Sequence, residues 1–271
     1  MLALPRQRGL VARILDQLQT QGRLVASVEE LVKLSGLTLT AVHRQLEHLS
    51  PRVVRLPGRP SAYLMVPPEH RVRGAPPVAG WLDAYFNLRS EPYYLGLLSA
   101  AALHGSSRQA VQVTQIVATK PLRPMDIGRL HLDFYVKATL EKTPLTRLPG
   151  MPAPLAVSTP EATALDLIAY SHRLGGIRRV TQVIAGLKPA MTLTGLRQAL
   201  TAETQTSVKQ RLGYVLQSLG WERMAAEVQK GLPARLAVVL LQTHAQASKL
   251  AGNTGQPWMV LDNIGLGSAL E

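Results

Sequence analysis

SVEELVKLSGLTLTAVHRQLEHL, residues 27–49, decides the fold of the N-terminal part of this chain. Ser27 and Glu30 stand at capping-box spacing ahead of a helix whose buried face is Val28, Leu31 and Val32. Ser35-Gly36-Leu37 makes a tight turn, and Thr38 is placed to cap a second helix that buries Val42, Leu46 and Leu49. Helix, short glycine-containing turn and helix is helix-turn-helix spacing. Upstream, residues 6–19 carry Leu10, Val11, Ile14, Leu15 and Leu18 as one helical stripe, closed by Gly22. Downstream, VVRL (53–56) and AYLMV (62–66) flank PGRPS, so two strands with a basic Gly/Pro tip read as a wing.

Charge points the same way. The 271-residue chain carries 30 Lys and Arg against 17 Asp and Glu, a formal net charge of +13. Such an excess favours polyanions, nucleic acid before an anionic membrane surface. The first 74 residues hold 11 Lys and Arg against 5 Asp and Glu, so the head is denser in positive charge than the rest, which is basic too. There is no cysteine, which removes disulfides and thiolate metal sites. Pro5, Arg6 and Arg8 interrupt the apolar start that a signal peptide needs, and the apolar stretch LPARLAVVLLQTHA is too short to span a bilayer. The expectation is a soluble cytoplasmic protein that makes no membrane contact.

A helix-turn-helix places its second helix in the major groove. Thr38, Thr40, Ala41, Arg44, His43 and Gln45 then face base edges, Arg and Gln being suited to bidentate contacts with guanine and adenine. Arg55 and Arg59 on the wing can reach phosphates or the minor groove, and Lys33 and Arg52 can clamp phosphates. The plainer alternative is a three-helix packing module with a solvated basic face.

Residues 1–68 form the expected DNA-binding domain, 69–80 a linker (VPPEHRVRGAPPVAG overlaps it), and 81–271 a larger C-terminal domain. In the latter, GWLDAYFNLR and YYLGLLSAAALHG read as helices, and residues 111–119 and 129–136 as strands joined by the loop KPLRPMDIG. A short strand, LAVST, leads into a helix from Pro160, capped by Ser158 or Thr159. IRRVTQVIAGL, TLTGLRQAL, SVKQRLGYVLQSLG, WERMAAEVQKGL and PARLAVVLLQTHA continue with helical periodicity, and WMVLD reads as a last strand. The fold class is α+β (mixed α/β), with a small sheet and a helical second half.

Catalytic constellations are hard to find. Gly105-Ser106 is followed by no Asp-x-Asp, and Gly105 reads as a helix cap. Asp133 and Lys137 on one strand make a poor nuclease motif, and GNTGQP lacks the lysine of a phosphate loop. Glu161 and Asp166 share a helix and read as capping and buried hydrogen-bonding groups, and His104 as a cap or core-edge residue. No cofactor, metal or catalytic residue is expected. Basic residues recur at Arg123, Arg129, Arg178, Arg179, Lys209, Arg211 and Arg223, either as solvated faces or as a secondary nucleic-acid or acidic-partner surface.

PYYLGLLSAAALHG (92–105), QVTQIVATKPLRP, a strand ending in FYV and VSTPEATALDLIAY together resemble the AbiEi family of antitoxins from bacterial abortive-infection systems. The resemblance implies a two-part role in phage defence. The head binds repeats in its own promoter and represses its operon. The body counters a cognate AbiEii-type nucleotidyltransferase toxin in a type IV system, without a stable complex and as a monomer in solution. It assigns the DNA-reading residues to the helix at 38–49 and the wing at 55–59, and none to antitoxicity in the body. The other reading is a winged-helix regulator whose C-terminal domain senses a ligand or protein partner.

Overall fold

In the computed structural model, residues 9–106, 113–147, 155–243 and 254–266 are described. The start of the first expected helix, Val111-Gln112, and the His244-Ala245 end of LLQTHA lie outside them. The head is built from α1 (Leu10–Thr20), β1 (Val25–Ser27), α2 (Val28–Ser35), α3 (Leu39–Glu47), β2 (Val53–Leu56) and β3 (Ala62–Met65). Ser27 accepts the Glu30 N–H at 3.0 Å and Thr38 that of Ala41 at 3.3 Å, so both helices start at the expected caps. Gly36 closes α2 in the left-handed conformation, at φ 66°. The strands pair antiparallel in the order β1-β3-β2. β1 was not foreseen: three residues between a turn and a helix are too few to show a period.

The small sheet is buried on both faces. Ala26, Val53, Tyr63 and Met65 join the helical core of Val11, Leu15, Leu31, Val42 and Leu46. Val25, Leu56, Ala62 and Leu64 point the other way, into a second core with Trp81, Leu82, Tyr85 and Phe86. The segment 69–80 lies against the body: Gly74 abuts Gly128, the Arg129 N–H donates to the Arg73 carbonyl at 2.9 Å, and the Trp81 indole donates to the Pro76 carbonyl.

Beyond it come α4 (Leu82–Leu88), β4 (Tyr93–Leu95), α5 (Leu97–Leu103), β5 (Val113–Ala118), β6 (Met125–Ile127), β7 (Leu130–Val136), β8 (Leu145–Thr146) and β9 (Val157–Ser158). The six strands form one mixed sheet in the order β6-β7-β5-β4-β9-β8. Two expectations change here. Tyr93–Leu95 is a strand rather than the start of a helix: it pairs antiparallel with β5 along its length and, through Leu95, parallel with β9, and the helix begins only after Gly96. A Cβ at Gly96 would crowd Val117, so glycine permits the close crossing. The loop KPLRPMDIG also contains β6, paired with β7.

The second half is helical: α6 (Pro160–Ala169), α7 (Ile177–Leu187), α8 (Leu193–Ala202), α9 (Thr206–Ser218) and α10 (Glu222–Lys230). α6 is the central helix, buried continuously from Glu161 to Ile168. PARLAVVLLQTHA is not a helix where it is described. Val239–Leu240 is β10, paired in parallel with β12 (Val260–Leu261), which also pairs with β11 (Thr254–Gly255). Pro233 and the β-branched Val238 and Val239 disfavour a helix, and side chains of α9 occupy the backbone acceptors. Gln210 donates to the carbonyls of Ala237 and Trp258, and Arg211 to that of Leu240. Mixed α and β structure with a helical second half is as the sequence reads. Among the described residues no helix is long and apolar enough to cross a membrane.

Gly213 in α9 faces the buried Trp258 ring, where any Cβ would overlap it. Gly213→Ala is therefore expected to cost about 1–3 kcal/mol of unfolding free energy. Denaturant unfolding with the parent's stability would contradict that packing.

Candidate nucleic-acid interface

α3 buries Val42 and Leu46, which turns Leu39, Thr40, Arg44, Glu47 and His48 outward. Thr40, Arg44 and His48 follow one another at four-residue spacing on that outer face. Ala41 and His43 are half-buried at its margins, and Thr38 and Lys33 are exposed at the two helix ends beside the turn. The Thr38 hydroxyl accepts from Ala41 N–H yet keeps its own proton for a second partner. Arg55 and Arg59 are exposed on β2 and on the hairpin tip.

Two residues assigned to this surface have other partners. Gln45 turns towards α1, where its side-chain oxygen accepts the Val11 N–H at 3.1 Å, one of the donors a helix start leaves open. Arg52 pairs with Asp16 on α1. That pair is solvent-exposed, so it contributes little and competes weakly with a phosphate. Leu39 and His48 were missed. Leu39 fits an apolar stripe by spacing, but at the first turn it is 56% exposed, a large apolar group available to a thymine methyl.

In the body, the seven basic residues separate, Arg223 being exposed on α10. Arg178 donates to the carbonyls of Ile264 and Gly265, and the half-buried Arg211 holds Leu240, its pKa lowered by burial. These two secure the C-terminal segment. Arg123, Arg129 and Arg179 are exposed and Lys209 is half-buried. The contact of Gly74 with Gly128 brings the exposed Arg73 beside Arg129, a neighbour 56 positions away in sequence.

The family-like segments meet in the body's interior. Leu95 N–H donates to the Ala156 carbonyl, and the His104 ring donates to the Ser158 carbonyl at 2.7 Å. Tyr94 O–H donates to one Asp166 oxygen at 2.7 Å and the Lys137 ammonium to the other at 2.8 Å. Glu203 lies 3.9 Å from the same ammonium. Burial is the largest influence on the Asp166 carboxyl and raises its pKa, against the lowering effect of Lys137. Burial likewise pushes the Tyr94 hydroxyl well up, with Asp166 adding to it. Lys137 thus reaches across to α6 rather than acting with Asp133. Glu161 accepts from Thr192 N–H and hydroxyl at the start of α8, and a Cβ at Gly195 would overlap it. Both acids are internal hydrogen-bonding groups. Among the described residues no cluster of three or more metal-binding side chains occurs.

A basic, helical head joined through one sheet to an α+β body of this kind has known counterparts. Residues 94–218 match the family described as the AbiEi antitoxin C-terminal domain, and over that stretch the chain is similar to the AbiEi antitoxins. That family is not an enzyme family, and it implies a cognate toxin as partner. Among solved structures, the RV2827C protein from Mycobacterium tuberculosis aligns at a TM-score of 0.65 and 16% sequence identity. The alignment covers 96% of this chain and 94% of that one, so the likeness of fold extends through head and body. No curated protein matches the chain.

The raised carboxyl of Asp166 has a consequence for stability. An acid whose folded pKa lies above its unfolded value stabilises the fold fully only below the unfolded pKa, and the contribution is lost as pH rises through the folded one. The stability of the parent relative to Asp166→Asn should therefore decline from about pH 4 upward. A pH-independent difference in denaturant midpoints would refute this.

Proposed function

We propose that the protein is a DNA-binding antitoxin of a type IV toxin–antitoxin system. In this reading the head is a winged helix-turn-helix that represses its own operon by binding promoter repeats. The body counters an AbiEii-type nucleotidyltransferase toxin in the cytoplasm without forming a stable complex with it, and the antitoxin is itself a monomer in solution. The observation that carries the DNA half is the outer face of α3, Thr40 and Arg44, together with exposed Arg55 and Arg59 on the hairpin. Arg44 reads a guanine edge, Leu39 meets a thymine methyl, and Thr38 and Lys33 hold phosphates at the turn. Arg55 and Arg59 follow the phosphate backbone or enter the minor groove beside it.

The body adds a second polyanion contact where Arg73 meets Arg129, with Arg71 and Arg123 exposed on the same two segments. Its antitoxic action uses exposed surface, because its buried acids are engaged with Lys137, Tyr94 and Thr192. The transferase chemistry belongs to the toxin.

Arg44→Ala should cost about 1–3 kcal/mol at the base it reads and narrow the difference between operator and unrelated duplex. Arg59→Ala should weaken all duplexes alike and reduce the salt slope by about 0.9. Operator titrations in which both variants behave as the parent would overturn the groove assignment. For the body, Arg73→Ala with Arg129→Ala in the full chain should reduce the salt slope by up to about 1.8, two phosphate contacts' worth. An unchanged slope would confine DNA binding to the head. Co-expression with the adjacent toxin tests the antitoxin half: growth restored by the chain supports it, and continued growth arrest overturns it.

A further inference from the structure

The hairpin tip is not free. Its Pro57 carbonyl accepts two hydrogen bonds from the body, from Tyr85 O–H at 2.8 Å and from the Arg89 guanidinium at 3.2 Å. Arg89 also reaches the Tyr85 oxygen at 3.4 Å, and its remaining N–H groups fork onto Glu91 at 2.8 and 3.2 Å. The Arg89 and Glu91 side chains are only 10% and 17% exposed, so the pair is rigid and largely desolvated. Gly58 lies directly beneath the guanidinium, at φ 104°, and any Cβ there would occupy the place of the Arg89 head. The ring of Tyr85 packs edge-on against Phe86, which stacks on Tyr93 of β4. An unbroken chain of contacts therefore runs from the body's sheet to the hairpin tip, one residue from Arg59.

We infer that Tyr85 and Arg89 are positioning residues for DNA binding: they fix the hairpin tip so that Arg59 is presented in one orientation, and they do so without themselves touching DNA. A β-hairpin alone is marginally ordered, and its arginines would lose conformational freedom on every encounter with a phosphate. Held from the body side, the tip has met that cost before binding. The inference rests on the head being a DNA-binding module, as proposed above.

The experiment uses the full chain and a labelled duplex from the region upstream of its own reading frame. Tyr85→Phe removes one hydrogen bond with little change of shape, and Arg89→Gln removes the guanidinium. Each should weaken duplex binding by about 3- to 10-fold, the worth of one or two net hydrogen bonds. In an Arg59→Ala background the same changes should have little further effect, since the group they orient is gone. Amide exchange of residues 56–62 in the free protein should quicken in both variants, while the thermal midpoint of the body stays within a few degrees of the parent's. Full additivity with Arg59→Ala would overturn the inference, as would faster exchange at the tip with unchanged affinity, or unchanged exchange and affinity. Faster exchange at the tip in the variants, with a parent that binds no duplex, would overturn the DNA-binding reading instead. Gly58→Ala, which displaces Arg89 from the opposite side, serves as the independent variant. It should resemble Arg89→Gln and add little to it.

Discussion

Alternation along Ala62–Met65 governs how the molecule is assembled. Tyr63 and Met65 close the core of the three-helix head, while Ala62 and Leu64 close a core made with α4 and the large sheet. A strand buried on one face leaves a domain that can be cut away from its neighbour. Here the other face is apolar as well, and each large side chain on it contributes about 1.5–3 kcal/mol by leaving water. The head and body are therefore joined by a core rather than by a tether. Everything placed by the small sheet, α3 and the hairpin included, inherits its orientation from the body.

Within the body the same logic is polar. Tyr94 from β4, Lys137 from the end of β7, Asp166 from α6 and Glu203 from the end of α8 converge in the interior. Four elements far apart in sequence share one buried set of charges, which is costly unless every member is partnered. Such a set specifies a single packing of helices on sheet. It explains why the segments that mark the antitoxin family contain no reactive group: they supply the Tyr, the Asp and the helix cap that lock the sheet to the central helix.

Much of this was legible before any coordinates. The caps at Ser27, Thr38 and Thr159, the stripe of α1, the two strands of the β2–β3 hairpin and helices α6–α10 each announce themselves within a dozen residues, because capping and periodicity are local. What escaped was non-local. Tyr93–Leu95 is a strand because β5 and β9 lie beside it, although YYLGLLSAAALHG reads continuously as a helix. Val238–Leu240 has helical spacing in a segment whose backbone groups are claimed by Gln210, Arg211 and β12. The site suffered the same limit. Spacing places Gln45 on the outside of α3, but the start of α1 draws it inward. Arg178 and Arg211 count as surface charge in a sequence and serve as backbone clamps in the fold. Arg44, Arg55 and Arg59 are exposed, as is the default for arginine.

Gln210 bears on how this protein can be divided. Its side chain, 1% exposed, holds carbonyls of residues 237 and 258 at once, and Trp258 fills the notch left by Gly213. The stretch recognisable as antitoxin domain stops at residue 218, yet the helix that ends it is finished by chain some forty residues further on. The stretch that matches the family and the stretch that completes its last helix are thus different lengths. A fragment cut at the recognisable boundary would carry a buried amide with nothing to bind and an open slot the width of an indole.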